Sequence, residues 1–239
     1  MGIQPIYQFY AELDNYEPSI WRRFQVANNV SVARLGYILM TMFEMQASHL
    51  YAFEVPKRIK EYTRGQLSGV DEIEKIFRFK MPDNEDFTEE DSRYIVFDAT
   101  EQKISNAVSM PEERLYFNYD FGDDWWVSLV LEDVIVDREL SGRELPRVLE
   151  GAGYGIIENC GGTPGLTALA QAFKKKKGKE YKEFSEWLGV DNFNLSVFDV
   201  DDMNFRLKKV PRIYAEIYEH RRQPTKRSID FLERKYLGK

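Results

Sequence analysis

Apolar and polar side chains alternate along residues 6–13, the period of a half-buried strand, and Asn15-Tyr16-Glu17-Pro18 follows as a turn. Residues 19–26 alternate again, which makes the two segments a β-hairpin. On this second strand Ile20, Arg22, Phe24 and Val26 share one face. Trp21 and Arg23 share the other, where the guanidinium is expected to stack on the indole. The period then changes: Leu35, Ile38, Leu39, Met42 and Phe43 recur at helical spacing behind Ser31, a good N-cap. Residues 49–55 (HLYAFEV) read as a third strand that ends at Pro56.

From 57 to 110 the pattern is charged and weak, and predicts strands and loops on the sheet periphery, with a short strand at Tyr94 to Phe97. The acidic run from Asp83 to Asp91 reads as a solvated loop, because it lacks the glycine an EF-hand calcium loop needs. Residues 115–136 (LYFNYDFGDDWWVSLVLEDVIV) form the strongest local signal, an aromatic strand, an acidic turn and a long apolar strand. Residues 145–155 are expected to be a Gly-rich connection, and Thr163-Pro164 opens a helix running to about Phe173. A second helix spans Tyr181 to Leu188 and stops at Gly189. From Asp199 onward the chain looks helical, with breaks near Pro211 and Pro224. These elements predict an α+β fold, a largely antiparallel sheet built on β-hairpins and flanked by helices, with a helical C-terminal extension. The domain division expected is an α+β body over residues 1–210 and a basic helical arm over 211–239.

Composition narrows the class. With 43% hydrophobic and 14% aromatic residues over 239 positions, the chain has the material for a packed core. No apolar run reaches the length of a membrane span, the N-terminus lacks a signal pattern, and a single cysteine excludes an internal disulfide. A cytoplasmic protein is the expectation. Charge is uneven: from Arg206 onward eleven Lys/Arg face four Asp/Glu, a net +7 against about −14 for the rest. The cations of that arm, Arg221, Arg222, Lys226 and Arg227 among them, are candidates for binding nucleic-acid phosphates. A protein partner, or the acidic body of the same chain, would suit the same charge.

Five segments in order, PSIWRRFQV, HLYAFEV, LYFNYDFGDDWWVSLVLED, GAGYGIIENCGG and NLSVFDVDDMNFRL, resemble the plasmid pRiA4b open-reading-frame-three-like family across roughly residues 5–210. The resemblance implies a compact α+β domain associated with plasmids and insertion elements, and assigns no activity. The resolvase-like label attached to some members finds no Ser- or Tyr-recombinase constellation here. The chain departs from the family pattern at Val127 and Tyr51, where histidines are usual, and at Ile156-Ile157-Glu158-Asn159, where Pro-Pro-Glu-Asp is usual.

Candidate chemistry gathers at the hairpin tip. His49, Asp120 and Glu158 would form a His/carboxylate site if the third strand lies beside the hairpin, and a metal-assisted hydrolase using a divalent cation is the enzymatic alternative to a binding domain. Asp123, Asp124 and Trp125 would complete the walls of such a site. The plainer account of the three aspartates around Gly122 is turn chemistry, with carboxylates accepting backbone N–H groups and glycine supplying a positive φ. Cys160, near a helix N-terminus, would have a lowered pKa there, but a packed thiol is the ordinary outcome. Trp21, Tyr116, Tyr119, Trp125 and Trp126 would stack bases only if they faced solvent.

Overall fold

Among the described residues, eight strands form one sheet in the order β5-β4-β3-β6-β7-β1-β2-β8: β1 Ile6–Leu13, β2 Trp21–Ala27, β3 Tyr51–Tyr62, β4 Val70–Lys80, β5 Tyr94–Asp98, β6 Arg114–Tyr119, β7 Trp125–Ile135 and β8 Arg147–Ala152. The helices are α1 Val32–Met42, α2 Ile104–Ala107, α3 Gly162–Lys175, α4 Lys179–Leu188, α5 Val200–Leu207, α6 Val210–Tyr218 and α7 Lys226–Leu232. The computed structural model describes residues 4–62, 70–81 and 92–234, so the acidic run at 83–91 lies outside the described residues. Every pairing is antiparallel except β4 with β5, and the fold is α+β as expected.

Alternation decides which sheet face is covered. Phe9, Ala11 and Leu13 of β1, Phe24 and Val26 of β2, Phe117 of β6 and Trp125, Val127 and Leu129 of β7 are all buried. Helix α1 lies under that face, and every residue in it but Arg34 is buried. A helix apolar nearly all round needs cover on its far side as well, which α5 and α6 supply. Ser31 caps it as predicted, accepting a hydrogen bond from the Arg34 N–H at 3.1 Å. The opposite sheet face is partly exposed; there Arg23 sits 5.8 Å from the Trp21 ring, the expected contact, and Trp21 stacks on Tyr10.

Three local expectations fail for physical reasons. The third strand passes through Pro56 to Tyr62, because its ladder with β6 ends at Glu54 and a missing N–H is tolerated beyond it. The Gly-rich segment after residue 145 contains edge strand β8, in which Gly151 passes so close to β2 that a Cβ would lie 2.7 Å from the Trp21 carbonyl oxygen. The α3 N-cap is Gly161 in the left-handed conformation, not Thr163.

Arg22 explains why the chain returns at β8. Its side chain is fully buried, and it donates to five main-chain carbonyls: Trp21, Met42, Ala152, Gly153 and Tyr154. The Phe198 ring lies 3.8 Å from the guanidinium. Burial lowers its pKa to about 9, and the carbonyl partners are what make a buried cation tolerable.

Candidate functional site

The loop after α1, the end of β6 and the loop after β8 meet at one end of the sheet. Gly155 makes this approach possible: it has φ 143°, and a Cβ there would lie 2.4 Å from the Phe43 carbonyl oxygen. Its neighbour Ile156 donates to that carbonyl at 2.9 Å, holding residues 153–158 against the turn after α1. The result is that Glu158 lies beside Gln46 and Ser48. The β3–β6 ladder pairs Tyr51 with Tyr119 and places Asp120 next to the start of β3, where Asp120 N–H donates to the Leu50 carbonyl.

His49, Asp120 and Glu158 therefore converge. The His49 Nε2 is 3.5 Å from Asp120 Oδ2 and 3.9 Å from Glu158 Oε2. Glu158 is only 5% exposed, and its carboxylate accepts three hydrogen bonds from protein donors. Gln46 N–H donates to Oε1 at 2.6 Å, Ser48 Oγ to Oε2 at 2.8 Å, and the Tyr119 hydroxyl donates to Oε1 as well. Burial, and then the hydrogen bond to Glu158, raises the Tyr119 pKa far above its ordinary value, so this phenol stays a proton donor. Asp120 uses Oδ1 to accept from the N–H groups of Gly122 and Asp123, at 3.1 and 3.4 Å, and keeps Oδ2 toward His49. Left-handed backbone at the hairpin tip falls on Asp120 and Asp124, both at φ 54°, and not on Gly122; short Asp side chains tolerate it.

The other candidates sit differently. Asp124 Oδ1 accepts from Asn118 at 2.9 Å and from the Trp126 indole at 2.8 Å, and Asp123 Oδ2 accepts from Gly161 N–H at 3.4 Å. Trp125 is fully buried, with no hydrogen-bond partner for its indole nitrogen among the described residues, while Trp126 lies on the open face, as alternation requires. Of the remaining rings, Tyr119 is fully buried and Trp21 and Tyr116 are half-buried. The family-pattern departures Tyr51 and Val127 are both core residues. Burial first, and then the Asp123 charge, pushes the Cys160 thiol up to about 12, the reverse of a helix-dipole activation. Among the described residues, no group of three or more His, Cys, Asp or Glu is arranged to hold a metal ion. Both Glu158 oxygens and Asp120 Oδ1 accept from protein N–H and O–H groups, which turns these carboxylates to holding the loops together.

The C-terminal cations occupy a second site. Helix α6 buries Val210, Pro211, Tyr214 and Ala215 against the body, and the Tyr214 hydroxyl donates to the Met45 carbonyl at 3.1 Å. After α7 the chain returns to the body, where Arg234 pairs with Asp202 and with buried Glu44. Part of the positive charge is thus spent on the acidic body. The outward side is different: α6, α7 and their connection bound a groove of about 650 Å³. Lys208, Lys209, Arg212, Arg222 and Arg227 line it, with Glu216 the one carboxylate among the described residues of its walls. Arg222 pairs with Glu216, and Lys209 stands 5.1 Å from the Phe231 ring. Arg221 and Lys226, also candidates, are exposed on the same segment.

Sequence reasoning missed Gln46, Ser48 and the phenol of Tyr119 as the residues that hold Glu158. Only Tyr119, next to Asp120 in the hairpin, carried a local signal. Among the described residues no helix is long and apolar enough to cross a membrane.

Residues 5–202 match the family described as plasmid pRiA4b ORF-3-like protein. The crystal structure of a protein of unknown function, MM3350 from Methanosarcina mazei Go1, is similar with a TM-score of 0.64 at 23% identity. That similarity covers 84% of this chain and 98% of the other, and it shows the shared fold alone. No curated protein matches the chain.

Proposed function

The chain belongs to the plasmid pRiA4b ORF-3-like family, and from that premise we propose that it is a plasmid-associated accessory domain that binds nucleic acid through the groove between α6 and α7. The observation that carries this reading is the concentration of five cations against one carboxylate, among the described residues, around a groove of about 650 Å³. Counterion release from phosphates is the dominant drive for such a surface, and it is independent of base sequence. Phe205 and Phe231, 5.9 Å apart with Lys209 beside both, add ring faces on which an unpaired base can stack. A net charge of −7 repels polyanions at long range, so binding has to be local to this groove.

Fluorescence anisotropy with labelled single-stranded and duplex oligonucleotides, titrated across salt, tests the proposal. The expected result is measurable affinity at low salt that falls linearly in log K against log salt. Affinity weaker than about 10⁻⁴ M at low salt for both forms removes the nucleic-acid reading and leaves an acidic protein surface as the partner class.

The convergence of His49 with Asp120 and Glu158 favours a second reading, in which the imidazole, oriented by carboxylates, accepts or donates a proton at a bound molecule. No step through a metal follows from the donor set.

A further inference from the structure

A cavity of about 170 Å³ lies between α1, the start of β3 and the end of α6, on the other side of α6 from the basic groove. Its walls are the rings of Tyr37, Tyr51 and Tyr218, the thioethers of Met40 and Met81, and Leu50; Ser48 and His49 form its polar end. Leu50 and Tyr218 are 39% and 40% exposed, so large apolar side chains stand open to solvent at this cavity.

We propose that this cavity is a binding site for a single aromatic ring carrying a hydroxyl donor, a phenol-class molecule, with His49 as the recognition residue. The size argument is direct: an apolar cavity of about 150 Å³ holds one benzene ring and stays dry without it. The wall chemistry suits a ring, since tyrosine faces and edges stack on it and methionine adapts its shape and makes favourable sulfur–aromatic contacts. The polar end sets the class of substituent. His49 Nε2 stands 3.5 Å from Asp120 Oδ2 and 3.9 Å from Glu158 Oε2, so the imidazole and the Ser48 hydroxyl make this end of the cavity polar. Ser48 Oγ already donates to Glu158 and keeps lone pairs that accept, and an imidazole nitrogen without a proton accepts as well, so a hydroxyl donor on the ligand suits this end. The Tyr37 hydroxyl is engaged with the Met81 sulfur, at 3.8 Å, and with the Tyr51 hydroxyl, and the Tyr218 hydroxyl is committed to the Ala47 carbonyl. His49 and Ser48 are therefore the polar side chains at this end that face a ligand alongside the tyrosine hydroxyls. This inference is independent of the nucleic-acid groove and survives its failure.

The test uses the full chain labelled with ¹³C-methyl methionine and titrated with phenol, benzene, anisole and benzoate. Phenol should shift the Met40 and Met81 methyl signals in a saturable way. Benzene and anisole should bind about three- to tenfold more weakly, the effect of one hydrogen bond. His49→Phe should abolish the preference for phenol over benzene. If that variant does not fold, the order phenol over anisole in the natural chain decides alone. Absence of any saturable shift at Met40 and Met81 overturns the site. Equal binding of anisole and phenol, or tightest binding of benzoate, overturns the hydroxyl-donor assignment.

Discussion

Helix α6 separates two cavities that share a wall and almost nothing else. Inward, Tyr214 and Ala215 are buried and Tyr218 borders a small cavity of aromatic rings and thioethers. Outward, Arg212, Ile213, Glu216 and Ile217 border a larger groove ringed by cations. The inward face is held by packing and by hydrogen bonds to the turn after α1, which are short-range and insensitive to salt. Exposed charge dominates the outward face, where ion pairs contribute little to stability but much to long-range attraction. The difference teaches that packing and charge are divided within the C-terminal segment. Val210, Pro211, Tyr214 and Ala215 of α6 are buried whereas α7 buries no residue, and the two properties can be damaged separately.

The largest effect is expected inward. Tyr214→Ala removes a ring that is 3% exposed, together with its hydrogen bond to the Met45 carbonyl. The cost is about 4 kcal/mol, the range for deleting a buried aromatic side chain, or roughly a 10 °C fall in melting temperature. A fall of no more than about 2 °C in a thermal melt would mean that α6 is not packed on α1 as described.

Glu158→Leu comes next. It leaves the Tyr119 hydroxyl, the Ser48 hydroxyl and the Gln46 N–H without their shared acceptor in a buried position. About 3 kcal/mol is expected, since a buried donor left unpaired costs about 1–3 kcal/mol and water recovers part of it. Urea denaturation measures this, and Glu158→Gln should recover about half the loss by keeping one oxygen acceptor. Equal stability of all three chains would show that Glu158 does not join the loops at 46–48 and 119–120.

That cluster also marks how far the sequence could be read. Hairpins β1–β2 and β6–β7 and helix α1 were legible, because alternation, a three-to-four spacing and Ser31 are local signals. The convergence of His49 with Asp120 followed from one further step, that β3 pairs with β6. Glu158 is held by Gln46 and Ser48, more than a hundred residues earlier in the chain, and no periodicity encodes that contact. Strand β8 was hidden by Gly151 and by the glycines that follow it; Gly151 lets the chain close over Arg22, whose Cδ a Cβ there would meet at 2.9 Å. Alternation did place Arg22 on the apolar face of β2, but five carbonyl acceptors brought together from three chain segments lie beyond any local rule. The cation-lined groove was legible as charge and not as shape, since its walls depend on how α7 folds back on α6.

Arg234→Met tests the point where the arm rejoins the body. It removes a partner of Asp202 and of Glu44, a carboxylate whose pKa burial has raised and which keeps Arg206 at 4.0 Å. About 1–2 kcal/mol is expected, less than for a fully buried pair, because Arg234 is partly solvated and Glu44 retains a second cation. The loss should show as a lower urea midpoint with α7 released first, read by hydrogen exchange at residues 226–232. Unchanged exchange there would place the anchor of α7 elsewhere.

The smallest stability effect, and the sharpest test of the comparison, belongs to Arg212→Glu combined with Arg227→Glu. Both side chains are exposed and both line the groove. Arg227 lies at the periphery of the Phe231 ring, 5.9 Å from its centre, a distance at which little packing energy is at stake. Reversing two such charges should change folding stability by less than about 0.5 kcal/mol, as for most exposed substitutions. Oligonucleotide affinity, by contrast, should fall at least tenfold at low salt. The slope of log K against log salt should shrink by about 0.7 for each single-strand phosphate that the variant no longer neutralises. The ratio separates the two faces of α6: an inward substitution lowers stability and affinity together, whereas this outward pair lowers affinity alone. If the reversed-charge chain binds with the original affinity and salt slope, the groove is not the phosphate site, whatever its charge. If it unfolds instead, the outward face carries packing energy, and the division between a structural inner surface and an electrostatic outer one is wrong.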